Sequence, residues 1–238
     1  MKLSKMLWCL MPKTEKQWIE RAMGPLEFRQ FKKTLNGEKS LPVSFHEKKA
    51  IFVHIPKTAG SSIYDLFFDG AKGLGHMPYA WYESIAPGYC SKYFSFSFVR
   101  NPWDRVVSAY HFVLSGGAPR RDGPMAKEFS RFNNFDDFVV NWLNDDNINC
   151  NLHFVPQYKF LLNAHGELGP DYVGRFESMN DHLKHICRAV NVSSSQVSSL
   201  KVINKSQRGD YRNYYTDRSA ELVMNLYKQD AELFEYSF

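Results

Sequence analysis

Cysteine is scarce in this chain: four in 238 residues, at positions 9, 90, 150 and 187, with no C-x-x-C pair. That excludes a disulfide framework and argues against a metal site, so reduced, partly buried thiols are expected. Long apolar runs are lacking as well. The basic start MKLSKMLWCLMPKTEKQW carries an apolar stretch that stops after six residues at Pro12. That is too short for a signal-peptide core or for the ~20 residues of a membrane helix. A soluble, cytoplasmic chain with no transmembrane segment is the expectation. There is also no internal repeat and no low-complexity tract, which excludes repeat architectures.

What is there instead is core-forming material. With 44% hydrophobic and 16% aromatic residues, 238 residues suffice to bury one compact core without disulfides or metal. The net charge of +5 and pI near 8.9 favour acidic ligands, although a charge of that size serves solubility equally well.

Residues 14–35 read as two short amphipathic helices parted at Gly24-Pro25, followed by the polar link NGEKSLPVSFHEKK. Residues 1–48 are taken as an N-terminal helical extension and 49–238 as the main domain. From Lys49 strand and helix signals alternate. Strand AIFVHI leads into a helix over Ser61 to Phe68, then a short strand-like GLGH segment and a helical YAWYESI. Strand YFSFSFV runs into Asn101-Pro102, an N-cap with proline at the first helical position. Helices are expected over 102–114 and 134–144, from Ser178 to about 190 and from Thr216 to about 230, with a strand at YVGRFE. The Gly/Pro-rich segment 116–127 reads equally well as an acidic-glycan contact through Arg120, Arg121 and Lys127 or as a solvated loop. Such alternation predicts an α/β fold: a P-loop-like three-layer sandwich with a central, mostly parallel sheet flanked by helices, and ligands at the carboxyl ends of the strands.

Two strand ends carry chemistry. Pro56 to Ser62 form a turn between the first strand and its helix, where backbone N–H groups and the positive helix end suit a phosphate-like anion. Lys57 adds a mobile cation, Gly60 a close backbone approach, and Thr58, Ser61 and Ser62 hydroxyl donors. A Walker loop would read G-x-x-x-x-G-K-[ST]; here the lysine precedes the glycine and the loop is shorter. Strand YFSFSFV ends in Arg100, where a nucleoside triphosphatase would place a magnesium-holding aspartate. An arginine binds an anion instead, and Ser108 lies eight residues on, about two helical turns away. The plain alternative is an arginine paired with Asp104 and an exposed helix serine. Two such corners imply a ligand with two separated phosphate-like groups.

HIPKTAGSS (54–62) and FVRNPWDRVVSAY (98–110) resemble the 5′-phosphosulfate loop and the 3′-phosphate segment of sulfotransferases. The chain is most similar to the carbohydrate sulfotransferase superfamily (family 2 type), which includes heparan sulfate 2-O- and 6-O-sulfotransferases and bacterial relatives. GHMPYAWYE, PQYKFL, VGRFESM and NKSQRGDYRNYYT continue the resemblance, from about residue 50 to 238. It implies a metal-independent sulfotransferase domain that uses the donor 3′-phosphoadenosine 5′-phosphosulfate and leaves adenosine 3′,5′-bisphosphate. The implied acceptor is a hydroxyl of a saccharide or glycan, with no nucleic-acid partner. By this resemblance Lys57, Thr58, Ala59, Gly60, Ser61 and Ser62 hold the 5′-phosphosulfate, and Arg100 and Ser108 the 3′-phosphate. Lys205, Ser206 and Arg208 would close over the nucleotide.

An acceptor hydroxyl ionises far above neutrality, so a base near the sulfur contributes about 10²- to 10⁴-fold. GHMPY resembles the segment carrying the catalytic base of heparan sulfate 2-O-sulfotransferase, which nominates His76, with Lys57 at the leaving oxygen. Glu83 is the second candidate base, and His54 is expected to orient the loop. Trp81, Tyr82, Tyr158, His153 and Gln157 are candidates for a sugar site, with core packing the plain alternative. Arg120, Arg121 and Lys127 would suit an acidic glycan. Two other classes compete. A P-loop-type kinase would need a magnesium carboxylate where Arg100 stands; a non-catalytic module binding anionic nucleotide or glycan would have no use for His76.

Overall fold

The computed structural model describes residues 8, 10–12, 14, 16, 23–37, 40–70, 75–192 and 209–238. Its centre is a parallel sheet in the order β1 (Ala50–Val53), β2 (Phe94–Val99), β3 (Tyr172–Arg175), with Ala50 opposite Phe94 and Phe96 opposite Tyr172. Because the strands are parallel, their carboxyl ends fall along one edge, which brings the chain after Val53 beside the chain after Val99. Helices α1 (Pro25–Asn36) and α2 (Val43–Lys48) precede β1, and α3 (Gly60–Phe67), α4 (Tyr79–Ile85) and α5 (Pro87–Cys90) lie between β1 and β2. Between β2 and β3 come α6 (Pro102–Leu114), α7 (Pro119–Phe129), α8 (Phe135–Trp142), α9 (Asp145–Cys150) and α10 (Tyr158–Leu161). After β3 follow α11 (Met179–Ala189), α12 (Asp217–Leu226) and α13 (Lys228–Leu233). This is the α/β sandwich that the alternation predicts.

The central strand β2 is buried on both faces. Phe96 and Phe98 pack into the sheet core with Phe52, Phe67, Leu183 and Ile186. The alternate residues Ser95 and Ser97 are buried too, so their hydroxyls need partners: Ser97 Oγ donates to Val53 O (2.7 Å) and Ser95 Oγ to Asp171 (2.7 Å). A second apolar cluster joins α6, α8 and α12 through Trp103, Tyr110, Phe138, Trp142 and Val223.

Several boundaries differ from expectation, each for a local reason. β1 ends before His54, and Ile55 O accepts from Thr58 Oγ1 (2.9 Å), a turn bond rather than a ladder bond. The segment 116–127, read as glycan contact or solvated loop, is mostly helix: α7 starts there with Pro119 in its first turn, and Asp122 is buried. The last helix is two pieces, broken at Tyr227, whose hydroxyl donates to Phe154 O (2.7 Å). Ser178 stands at the N-cap of α11 but makes no side-chain cap bond. Of GLGH, residues 73 and 74 lie outside the described residues, and Gly75 and His76 lie in no strand.

Candidate active site

The turn between β1 and α3 is held from behind. Lys57 and Ala59 take positive φ, 71° and 62°, which costs non-glycine residues about 1 kcal/mol or more each. Three consecutive carbonyls of this turn are occupied: Ile55 O by Thr58 Oγ1 (2.9 Å), Pro56 O by Arg105 Nε (3.1 Å) and Lys57 O by Arg100 Nη1 (3.1 Å). In a trans peptide the N–H points opposite the C=O, so the N–H groups of Lys57 and Thr58 face away from the two arginines. The ladder of α3 begins with Ile63 N to Ala59 O (3.3 Å), leaving the N–H groups of Gly60, Ser61 and Ser62 outside it at the positive helix end. A β-carbon at Gly60 would overlap the His54 ring, so this position needs glycine.

Arg100 joins the second corner to the first through its bond to Lys57 O. Its Nε and Nη2 both lie 2.7 Å from Asp104 Oδ2, and its guanidinium covers the Phe176 ring at 4.1 Å. The pairing with Asp104 and the place at the lysine turn therefore hold together. Gln157 grips the Arg100 backbone, accepting from its N–H (2.9 Å) and donating to its carbonyl (2.8 Å). Buried Asp230 accepts from the N–H groups of Gln157 and Tyr158 (2.8 Å each). Burial raises the Asp230 pKa, opposed by those N–H groups and by Arg105.

The two histidines form one unit. Their ring centroids are 4.1 Å apart, and His76 Nδ1 lies 2.9 Å from His54 O. A carbonyl only accepts, so Nδ1 carries the proton and Nε2 keeps its lone pair, the tautomer a general base requires. Burial holds the His76 pKa well below the usual value. The charges of His54, Arg29 and His153 act in the same direction, and the hydrogen bond to His54 O opposes them. His54 is lowered to about 3 by burial and then by Arg29. Arg29 belongs to α1 and reaches this corner: a β-carbon on Gly75 would sit 3.1 Å from its Nη1.

The structure thus brings together Lys57 to Ser62, Arg100, His54 and His76; Ser108 is half-buried on α6, one turn after Asp104. Lys57 Nζ lies 3.8 Å over the Phe112 ring. His153 borders this group, buried against Asp122 (3.2 Å) and against the Phe112 ring. Other sequence candidates sit elsewhere: Glu83 accepts from Ala164 N (3.1 Å), Trp81 and Tyr82 are in the sheet core, and Lys127 is exposed on α7. Lys205, Ser206 and Arg208 lie outside the described residues, as do the side chains of Arg120 and Arg121. Sequence reasoning missed Arg105, Asp230, Arg29, Phe112 and Asp122. For Arg105 a signal existed, a cation three residues after buried Pro102 and four before buried Ala109 on the apolar stripe of α6; the others carry none.

A family model described as the sulfotransferase family matches residues 2–237. No curated protein and no solved structure matches the chain.

Proposed function

The chain belongs to the sulfotransferase family, and we propose that it transfers a sulfuryl group from 3′-phosphoadenosine 5′-phosphosulfate to a hydroxyl of a carbohydrate acceptor. The observation that carries this reading is the 3.1 Å contact between Arg100 and Lys57 O. It makes the two anion corners neighbours, as a single ligand with a phosphosulfate at one end and a phosphate at the other requires. The donor fits the residues present: Lys57, the N–H groups of Thr58 to Ser62 and the exposed Ser61 hydroxyl suit the 5′-phosphosulfate, and Arg100 with Ser108 the 3′-phosphate. Lys205, Ser206 and Arg208 are assigned to cover the nucleotide on the strength of the motif alone. We place the catalytic domain at 49–238, with the segment before it contributing Arg29. The carbohydrate acceptor rests on the resemblance of GHMPY and its flanks. No helix among the described residues is long and apolar enough to cross a membrane.

In this reading His76 Nε2 takes the acceptor hydroxyl proton while the acceptor oxygen bonds to sulfur in line. The bond from sulfur to the bridging phosphate oxygen breaks, its electron pair staying on that oxygen, and Lys57 stabilises the charge left there. Adenosine 3′,5′-bisphosphate departs, and His76 returns its proton to solvent.

The test has two arms. Adenosine 3′,5′-bisphosphate should raise the melting temperature where ATP with magnesium does not, and Arg100→Ala should abolish most of that rise. Labelled sulfate should pass from the donor to a mixture of saccharides. Equal stabilisation by magnesium ATP would favour a kinase, and binding without transfer a non-catalytic module.

A further inference from the structure

We propose that Phe112 is a positioning residue for sulfuryl transfer: the face of its ring holds the Lys57 ammonium, and the buried Asp122–His153 pair holds the ring. This rests on the reading above, in which Lys57 acts at the leaving oxygen.

The argument starts with α6. Trp103, Val106, Val107, Tyr110 and Val113 are buried in the second core cluster, whereas Asp104, Ser108 and Phe112 are half-buried. Those three follow at four-residue intervals and so form one stripe along the helix. Asp104 engages Arg100 (2.7 Å), Ser108 follows a turn later, and Phe112 lies beneath Lys57 Nζ (3.8 Å). One helix face thus runs beside both anion corners, and its last member touches the lysine. An ammonium at that distance over a ring face is held by the ring quadrupole.

The ring itself has a neighbour of its own. His153 meets Phe112 edge-on, with centroids 5.0 Å apart at 66°. His153 Nε2 lies 3.2 Å from Asp122 Oδ2, and the same oxygen accepts from Ala118 N (2.8 Å). Both side chains are almost fully buried, at 4% and 1% exposure, so neither can shift without opening the α6–α7 turn. That turn is tight, since a β-carbon on Gly117 would crowd Asp122 Cβ at 2.9 Å. A buried carboxylate thereby fixes, through an imidazole and a phenyl ring, where the lysine charge stands.

Phe112→Leu keeps the apolar bulk and removes the π face; Phe112→Tyr restores the ring. Three readouts are needed: turnover of the donor with water as acceptor, affinity for adenosine 3′,5′-bisphosphate, and the NMR signals of the Lys57 methylenes in the free protein. Phe112→Leu should lower donor turnover about tenfold while leaving the unfolding midpoint unchanged, should weaken bisphosphate affinity by no more than that factor because Lys57 also faces the 5′-phosphate, and should remove the ring-current shift of Lys57. Phe112→Tyr should restore both, and Asp122→Asn should move the Lys57 signals part of the way. Unchanged turnover in Phe112→Leu would overturn the proposal and leave the sulfotransferase reading intact. If the unmodified protein neither turned over donor nor bound the bisphosphate, that reading would fail; the NMR readout would then decide alone, and Lys57 signals indifferent to Phe112→Leu would sink the contact.

Discussion

Neutral imidazoles at His54 and His76 give activity and stability different responses to pH. For activity, the Nε2 lone pair of His76 is present at every pH above its lowered pKa. The transfer rate should therefore stay level from about pH 8 to 6, without the midpoint near 6.5 of an ordinary histidine; a kcat profile with that midpoint would refute the assignment. His76→Ala should lower kcat by about 10²- to 10⁴-fold and leave bisphosphate affinity intact. For stability, His54 titrates at about 3 when folded against 6.5 otherwise, so between those values the unfolded chain binds more protons. Stability is then full above pH 6.5 and is lost progressively as the pH falls toward 3. Melting temperatures measured from pH 7 to 4 should fall, and fall less steeply in His54→Gln. The places of Lys57, Gly60 and Arg100 in the fold were legible in the sequence because a strand end, a turn and an N-cap are local features. The His54–Gly60 overlap was not, because it depends on where the ring folds back.

At the level of the element, α6 packs the second core cluster and braces the lysine turn. The brace is Arg105, whose side chain is buried and donates to Pro56 O (3.1 Å) and Val155 O (2.9 Å). Arg105→Met would leave both carbonyls without a donor, at about 1–3 kcal/mol each. We expect a lower urea midpoint together with weaker bisphosphate binding, because the lysine turn loses one of its two arginine supports. Weaker binding at an unchanged midpoint would place Arg105 in contact with ligand instead. The helix itself was readable from Asn101, Pro102 and its apolar spacing. Its brace was not, since it joins residues 49 and 50 positions apart, and Asp230 caps α10 from 72 and 73 positions away. No periodicity marks such side-chain-to-backbone bonds. The helix within 116–127 went unread for another reason: Pro119 is a start signal of α7, and a proline reads as a breaker when the helix behind it is not recognised.

At the scale of the whole molecule, the segment before β1 packs onto the sheet, and the family match begins at residue 2. Leu26 of α1 and Phe45 of α2 enter the sheet core, which anchors the segment and sets Arg29 beside Gly75. The sequence was silent on this because it gives helices their faces but not the surface on which they dock. The charged and titratable groups around His76 are His54 behind it, Arg29 from α1 and His153 across the corner, with Asp122 beyond His153. Of these Arg29 is the permanent cation, and it disfavours a second positive charge on either imidazole. Arg29→Gln should therefore raise the pKa of His76, and the acid limb of the kcat profile should move to higher pH. Bisphosphate affinity should hold, since Lys57 and Arg100 are untouched. Arg29→Lys keeps the charge and should restore the profile. If Arg29→Gln lowered the melting temperature while its pH profile superimposed on that of the unmodified protein, α1 would serve packing alone and the charge would have no part in the base.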